Sequence, residues 1–288
     1  ISLLDLPRSI FPEIVRPATI LGPLKTEFLE ESGLSGINVV ASLSHDTACA
    51  VAACPTDSKN WAYISSGTWS LMGLELAGPI VTDDCRELNF TNEVGYGGST
   101  RLLKNIIGLW LVQECRRSWS IQGNEYSYAE LAEMAIKSEP HQSVLNPSDP
   151  RFLAPDNMPK RIAEICNETN QPIPKTPGAI VRCALESLAL LYARTLREAE
   201  KLVGWKVDKL HIVGGGSRNR LLNQLTADAA KVDVVAGPTE ATASGNVLVQ
   251  AIAGGAVSDL TEARKIIHRS FDTETFYPKT SSQHEALS

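Results

Sequence analysis

Two stretches decide the fold: Ala41–Val51, ASLSHDTACAV, and Ala62–Leu76, AYISSGTWSLMGLEL. In the first, a polar loop carrying Asp46 follows the apolar, β-branched run Ile37–Ala41 (INVVA), which reads as a buried strand. In the second, strands over Trp61–Ile64 and Trp69–Leu76 flank the turn Ser65-Ser66-Gly67-Thr68. A glycine in such a turn admits backbone angles and close approaches closed to other residues. The pair therefore offers a carboxylate held in a loop after a strand, and consecutive amides and hydroxyls that can cradle an anion. Each also has a plainer reading, Asp46 or Ser44 as a helix cap and the turn as an ordinary hairpin connection.

Outward from this core, the order of elements argues for an α/β fold. Leu102–Trp119 spaces Leu103, Ile106, Ile107, Trp110, Leu111 and Cys115 as one face of an amphipathic helix. On it, Asn105 and Gln113 lie a little over two turns apart and project from a similar side, as ligand contacts or as solvated polar residues. Arg101 and Lys104 read as surface charges that could also touch phosphate. A second helix is expected over Tyr128–Lys137, a proline-rich loop over 139–160, and a short helix over Pro159–Thr169. Thr176-Pro177 opens a long helix that Gly204 stops.

A βαβ-like unit follows: strand Lys209–Val213, the loop Gly214-Gly215-Gly216-Ser217, helix Asn219–Lys231 and strand Val232–Ala236. Helices over Ala241–Ala253 and Thr261–His268 and a polar tail, SSQHEALS, close the chain. Strands alternating with helices imply a sheet flanked by helices, and the early hairpin makes it mixed. The glycine run permits a ring or phosphate to lie against the backbone, or serves as a tight connection. GxGxxG fails because the sixth position is Asn219, and GxxxxGK[ST] occurs nowhere.

Composition bounds the function class. The 288 residues carry a net charge of −6 and are 43% hydrophobic. At this length about 75% of the unfolded surface can be buried. No basic excess exists to hold a nucleic-acid backbone, and no apolar run approaches the roughly 20 residues that cross a bilayer. ISLLDLPRSI has no charged start and no small-residue cleavage site, so a secretory leader is not expected. The six cysteines form no CxxC pair, so we expect no zinc or other protein-bound metal site, and mostly reduced thiols in a cytoplasmic protein. Ile1 stands where an initiating Met is absent, so the chain is expected to be part of a longer protein.

Taken in order, FPEIVRPATILGPL, SHDTACAVAA, AYISSGTWSLMG, NFTNE, RLLKNIIGLWLVQECRR and IVGGGSRN resemble the C-terminal half of the rhamnulokinases, within the FGGY family of carbohydrate kinases. The resemblance implies an actin-like, ribonuclease H-like ATPase lobe over 37–288, with 1–36 as the end of a preceding lobe and the connector to it. It implies Asp46 as the proton acceptor and His45, Asp46 and Thr47 as contacts to the sugar. Thr68, Asn105, Gln113 and Gly215 would contact ATP, which acts with Mg²⁺, and the sugar would be L-rhamnulose. A disulfide between Cys166 and Cys183 is implied by the same resemblance. So is a preceding lobe with an Asp-x-Gly-Thr hairpin that supplies most sugar contacts. That motif is absent from these residues, so the chain by itself is expected to be inert or nearly so. Another FGGY ketose or polyol kinase, or a non-catalytic actin-like nucleotide-binding protein, are the alternatives.

Overall fold

The computed structural model describes residues 2–279; the polar tail 281–288 lies outside them. The chain begins with short 3-10 turns and the ribbon of β1 (Thr19–Pro23), α1 (Thr26–Ser32) and β2 (Asn38–Ala41). β1 and β2 pair antiparallel as a two-stranded sheet of their own. The reading of Ile37–Ala41 as a buried strand needs correction, because Asn38 and Val39 are exposed. A strand with one partner, outside the main sheet, has nothing to cover both of its faces.

The body of the molecule runs α2 (Asp46–Ala52), β3 (Trp61–Ser66), β4 (Trp69–Leu76), α3 (Asp83–Glu87), β5 (Thr91–Val94), β6 (Thr100–Ile107) and α4 (Trp110–Ile121). Then come α5 (Tyr128–Lys137), α6 (Met158–Glu168), α7 (Pro177–Val203), β7 (Lys209–Val213), α8 (Arg220–Ala230) and β8 (Asp233–Ala236). The last elements are α9 (Ala241–Ala253), α10 (Leu260–Ser270) and β9 (Glu274–Phe276). The seven strands from β3 onward form one sheet in the order β5-β6-β4-β3-β7-β8-β9. Only β3–β7 and β7–β8 are parallel. An antiparallel β3-β4-β6 meander continued by two parallel strands is the mixed sheet expected of a ribonuclease H-like lobe.

Alternation along each strand splits the core in two. Ala62, Ile64, Leu210 and Ile212 face α4–α8, where α7 is the central helix. Tyr63, Leu103 and Val213 face α2, α9 and α10. α7 is long because both ends are specified. Thr176 Oγ1 accepts the Ala179 amide at 3.2 Å, Pro177 occupies the first turn, and Gly204 ends the helix at φ 76°.

The helix expected over Leu102–Trp119 is two elements. Thr100–Ile107 is strand β6, and the helix starts only at Trp110. β6 lies between β4 and β5 and is covered on both faces: Leu102 joins one core and Leu103 the other. A doubly covered strand shows a near-continuous apolar run, which imitates helical spacing when read alone. Arg101 and Lys104 are also not the surface charges expected. Arg101 is 1% exposed, and Lys104 pairs with Glu198 of α7 at 2.8 Å.

Candidate active site

Because β3, β7 and β8 are parallel, their C-terminal ends share one edge of the sheet, and the loops that follow them meet there. The loop after β7 lies directly on the turn after β3. A Cβ at Gly216 would collide with the Ser66 side chain, and Gly214, at φ 83°, would meet the Ser66 carbonyl oxygen at 2.9 Å. The loop after β8 joins them: Gly214 N donates to Pro238 O at 3.1 Å, and Ser217 and Thr239 hydroxyls are 3.3 Å apart. α8 braces the same loop, with Asn219 Oδ1 accepting Leu222 N at 3.0 Å and Asn223 Nδ2 donating to Ser217 O at 2.8 Å. Gly215 remains exposed with open space above its backbone. The glycine run is thus a tight connection and an open floor at once.

Thr68, on the turn itself, is exposed. Its carbonyl accepts the Gly108 and Trp110 amides at 3.2 and 3.1 Å, which ties the first turn of α4 to the β3–β4 turn. Gln113 follows in the first turn of α4, its amide donating to Leu109 O at 2.9 Å. Asn105 is not on that helix, so the two do not share a helical face. It sits on β6 opposite Leu71. Since Lys104 points to α7, Asn105 points to the α2 side of the sheet, and it is exposed.

Asp46 is the first residue of α2 rather than part of a loop, and the cap position belongs to His45, whose side chain makes no capping bond. The Asp46 carboxylate is 74% exposed. Donor groups gather on one of its oxygens: Thr47 N at 2.6 Å and Thr47 Oγ1 at 3.3 Å donate to Oδ1, and His45 Nε2 stands 3.2 Å from it. Among the described residues none bonds Oδ2. Thr47 is itself buried, its hydroxyl turned to Asp46. Behind His45, Nδ1 faces Glu93 Oε2 at 3.2 Å and Arg101 Nη2 at 3.3 Å, and Arg101 Nη2 donates to Glu93 at 2.9 Å.

α9 connects this carboxylate to the loops. It starts straight after the loop following β8, and Thr242 Oγ1 in its first turn donates to the Asp46 carbonyl at 3.4 Å. Gly245 lies so close to the Cys49 backbone that any Cβ would collide with it. Thr68 and Gly215 thus lie on adjoining loops, Gln113 lies on the helix tied to the Thr68 turn, and His45, Asp46 and Thr47 connect to the loops through α9. Sequence reasoning assigned no individual role to Glu93, Thr239 or Thr242. The NFTNE segment around Glu93 was the one available signal.

The six cysteines are free and buried. Cys166 of α6 and Cys183 of α7 are adjacent: contact with Cys183 holds the Cys166 thiol below its usual range, while the Cys166 contact and burial push Cys183 up. Burial pushes the Cys54 thiol up to about 12, against the opposing pull of Arg264.

The profile of the FGGY family of carbohydrate kinases, C-terminal domain, matches residues 62–254. The chain belongs to the FGGY family of carbohydrate kinases. It is similar to the rhamnulokinase of Bacteroides thetaiotaomicron, with 46% identity over 276 residues, 96% of this chain and 56% of that protein. The rhamnulokinase of Bacillus subtilis is 45% identical over 269 residues, 93% of this chain and 55% of that protein. The chain therefore spans about half the length of the curated relatives it matches. Among solved structures, the xylulose kinase of Rhodospirillum rubrum superposes with a TM-score of 0.69 at 18% identity, over 96% of this chain and 55% of that one. Plasmodium falciparum glycerol kinase with ADP gives 0.70 at 17% identity, over 96% and 54%. These likenesses show the actin-like, ribonuclease H-like fold.

Proposed function

We propose that this chain is the ATP-binding lobe of a kinase that transfers the γ-phosphoryl group of ATP to L-rhamnulose, giving L-rhamnulose 1-phosphate and ADP. The observation that carries the reading is the Asp46 carboxylate, exposed, pinned through Oδ1, and open at Oδ2. A sugar hydroxyl delivered to Oδ2 gives up its proton as its oxygen attacks the phosphorus, and the pinned oxygen keeps the carboxylate from turning away. The exposed Thr68 turn holds the phosphates, the open backbone at Gly215 lies against the adenosine, and Asn105 and Gln113 supply polar contacts. His45 and Thr47 orient the sugar side. Among the described residues no three His, Cys, Asp or Glu side chains cluster to hold a metal. We read Mg²⁺ as arriving with the triphosphate, and no step is assigned to a protein-bound ion.

L-rhamnulose is chosen because the two relatives at 46% and 45% identity are named rhamnulokinases. Residues 1–36 are read as the end of a preceding lobe and its connector, and 37–288 as the nucleotide lobe. No helix among the described residues is long and apolar enough to cross a membrane, and we place the protein in the cytoplasm. The adjacent Cys166 and Cys183 are read as a pair able to bridge on oxidation, which thiol labelling of the unreduced, denatured protein checks.

The test is ADP release by the full-length protein on a panel of ketoses and polyols, with Asp46→Asn beside it. Turnover on L-rhamnulose that the substitution removes supports the reading. Turnover on another sugar keeps the base and moves the substrate. Binding of ATP with no acceptor phosphorylated at all overturns it in favour of a non-catalytic nucleotide-binding protein.

A further inference from the structure

We infer that Glu93 and Arg101 are positioning residues, which fix His45 with a proton on Nε2 and through it set the Asp46 carboxylate. The inference rests on the kinase reading for what Asp46 does, but its geometry stands alone. Arg101 is a cation at 1% exposure. Burying a guanidinium costs several kcal/mol unless its donors are met. Here they are met sparingly. Nε donates to Val94 O at 3.2 Å, Nη2 serves both Glu93 Oε2 and His45 Nδ1, and Nη1 bonds nothing among the described residues. The buried Tyr63 phenol beside it makes no hydrogen bond of good geometry either. A strand pair in need of a staple alone is served more cheaply by an exposed ion pair or an apolar contact. This one spends a buried charge to hold a carboxylate and an imidazole at the start of α2.

The chemistry of the donors decides the proton. Guanidinium is donor only. A neutral His45 that accepts from Arg101 at Nδ1 must therefore carry its hydrogen on Nε2. If His45 is instead protonated, Nδ1–H turns to Glu93 Oε2 and Nε2 still carries a hydrogen. The remaining form, Nδ1–H with a bare Nε2, sets a lone pair against the Asp46 carboxylate 3.2 Å away. Both favoured forms thus keep a hydrogen on Nε2, 3.2 Å from Asp46 Oδ1, and leave Oδ2 to the substrate hydroxyl. Glu93 and Arg101 lie on neighbouring strands as a direct cross-strand pair, so the device is anchored in the sheet.

The test uses the full-length protein labelled with ¹⁵N-histidine, with Glu93→Gln as the near-isosteric variant and Glu93→Asp as the conservative one. His45→Gln assigns the resonance. The parent should show His45 with a protonated Nε2, and Glu93→Gln, which removes the carboxylate that holds Arg101 Nη2 against Nδ1, should lose that state to tautomer exchange. With it, kcat on the accepted ketose should fall about 10- to 100-fold, the scale of misplacing a reacting group by an ångström. KM for ATP should stay within about threefold, and Glu93→Asp should recover part of kcat. If Glu93→Gln lowers the melting temperature but leaves kcat and the His45 signal unchanged, the pair is a structural staple and the inference falls. If the parent phosphorylates no acceptor, yet the His45 state is present and lost in Glu93→Gln, the positioning stands and the kinase reading fails.

Discussion

The two faces of the main sheet are built on different terms. Against α7 the core is larger and mostly apolar, from Ile64 and Leu74 across Leu188 and Leu191 to Leu210 and Ile212, although Tyr192, Thr195 and Glu186 are buried within it. Against α2, α9 and α10 the core is smaller and threaded with polarity. Arg101, His211 and Tyr63 are buried there, each with a polar atom lacking a hydrogen-bond partner among the described residues. On the proposed function, the second face accepts buried polar groups because the Asp46 carboxylate hangs from it. Helix length follows the same division. α7 runs 27 residues between strong caps, whereas α2 has 7 and depends on Gly245 of α9 packing against it.

The comparison breaks first at Leu188, which is fully buried on the α7 face. Leu188→Ala should destabilise the protein by about 2–5 kcal/mol in urea denaturation, the usual cost of a core cavity. Turnover per folded molecule should not change. A loss of turnover without a loss of stability would erase the division between faces.

Gly216→Ala acts at the junction of the two faces. The added methyl meets the Ser66 side chain, so a loss of about 1–3 kcal/mol is expected from overpacking. Nucleotide affinity should weaken with it, read by calorimetry with ADP. Unaltered affinity would remove the β7–α8 loop from the nucleotide site.

His211 sharpens the contrast through pH. Burial pushes its imidazole down to about 4 from 6.5. Above pH 6.5 both folded and unfolded chains hold it neutral. As pH falls below that value the unfolded chain takes up a proton that the folded chain refuses, so stability is lost down to about pH 4. Between pH 6.5 and about 5, before most carboxylates titrate, the loss should reach roughly 2 kcal/mol. His211→Leu should flatten that slope, measured as unfolding free energy against pH. The smallest effect belongs to Thr176→Ala, about 1 kcal/mol for a lost helix cap, with no change in turnover.

What the sequence discloses follows the same physics. The β7–loop–α8–β8 unit was legible because each boundary has a local signal: an apolar run, three glycines, then Asn219 as cap. Asp46, Thr68 and Gly215 could be singled out because they sit in short motifs. β6 was misread because a strand covered on both faces carries no alternation to distinguish it from a helix. The network behind Asp46 was illegible for a different reason. Glu93 and Arg101 meet only across a strand pair, and Arg101 reaches His45 from 56 residues away. Nothing in either local pattern marks a buried guanidinium, which reads as a surface charge until the sheet is assembled.

The most direct test of the account is the rate of L-rhamnulose phosphorylation by the full-length protein with Asp46 replaced by Asn. Asp46 is exposed, so the melting temperature should hold while kcat falls by about 10²–10⁴, the contribution of a positioned general base. Undiminished kcat in a folded Asp46→Asn protein would contradict the central claim that this carboxylate receives the sugar's proton.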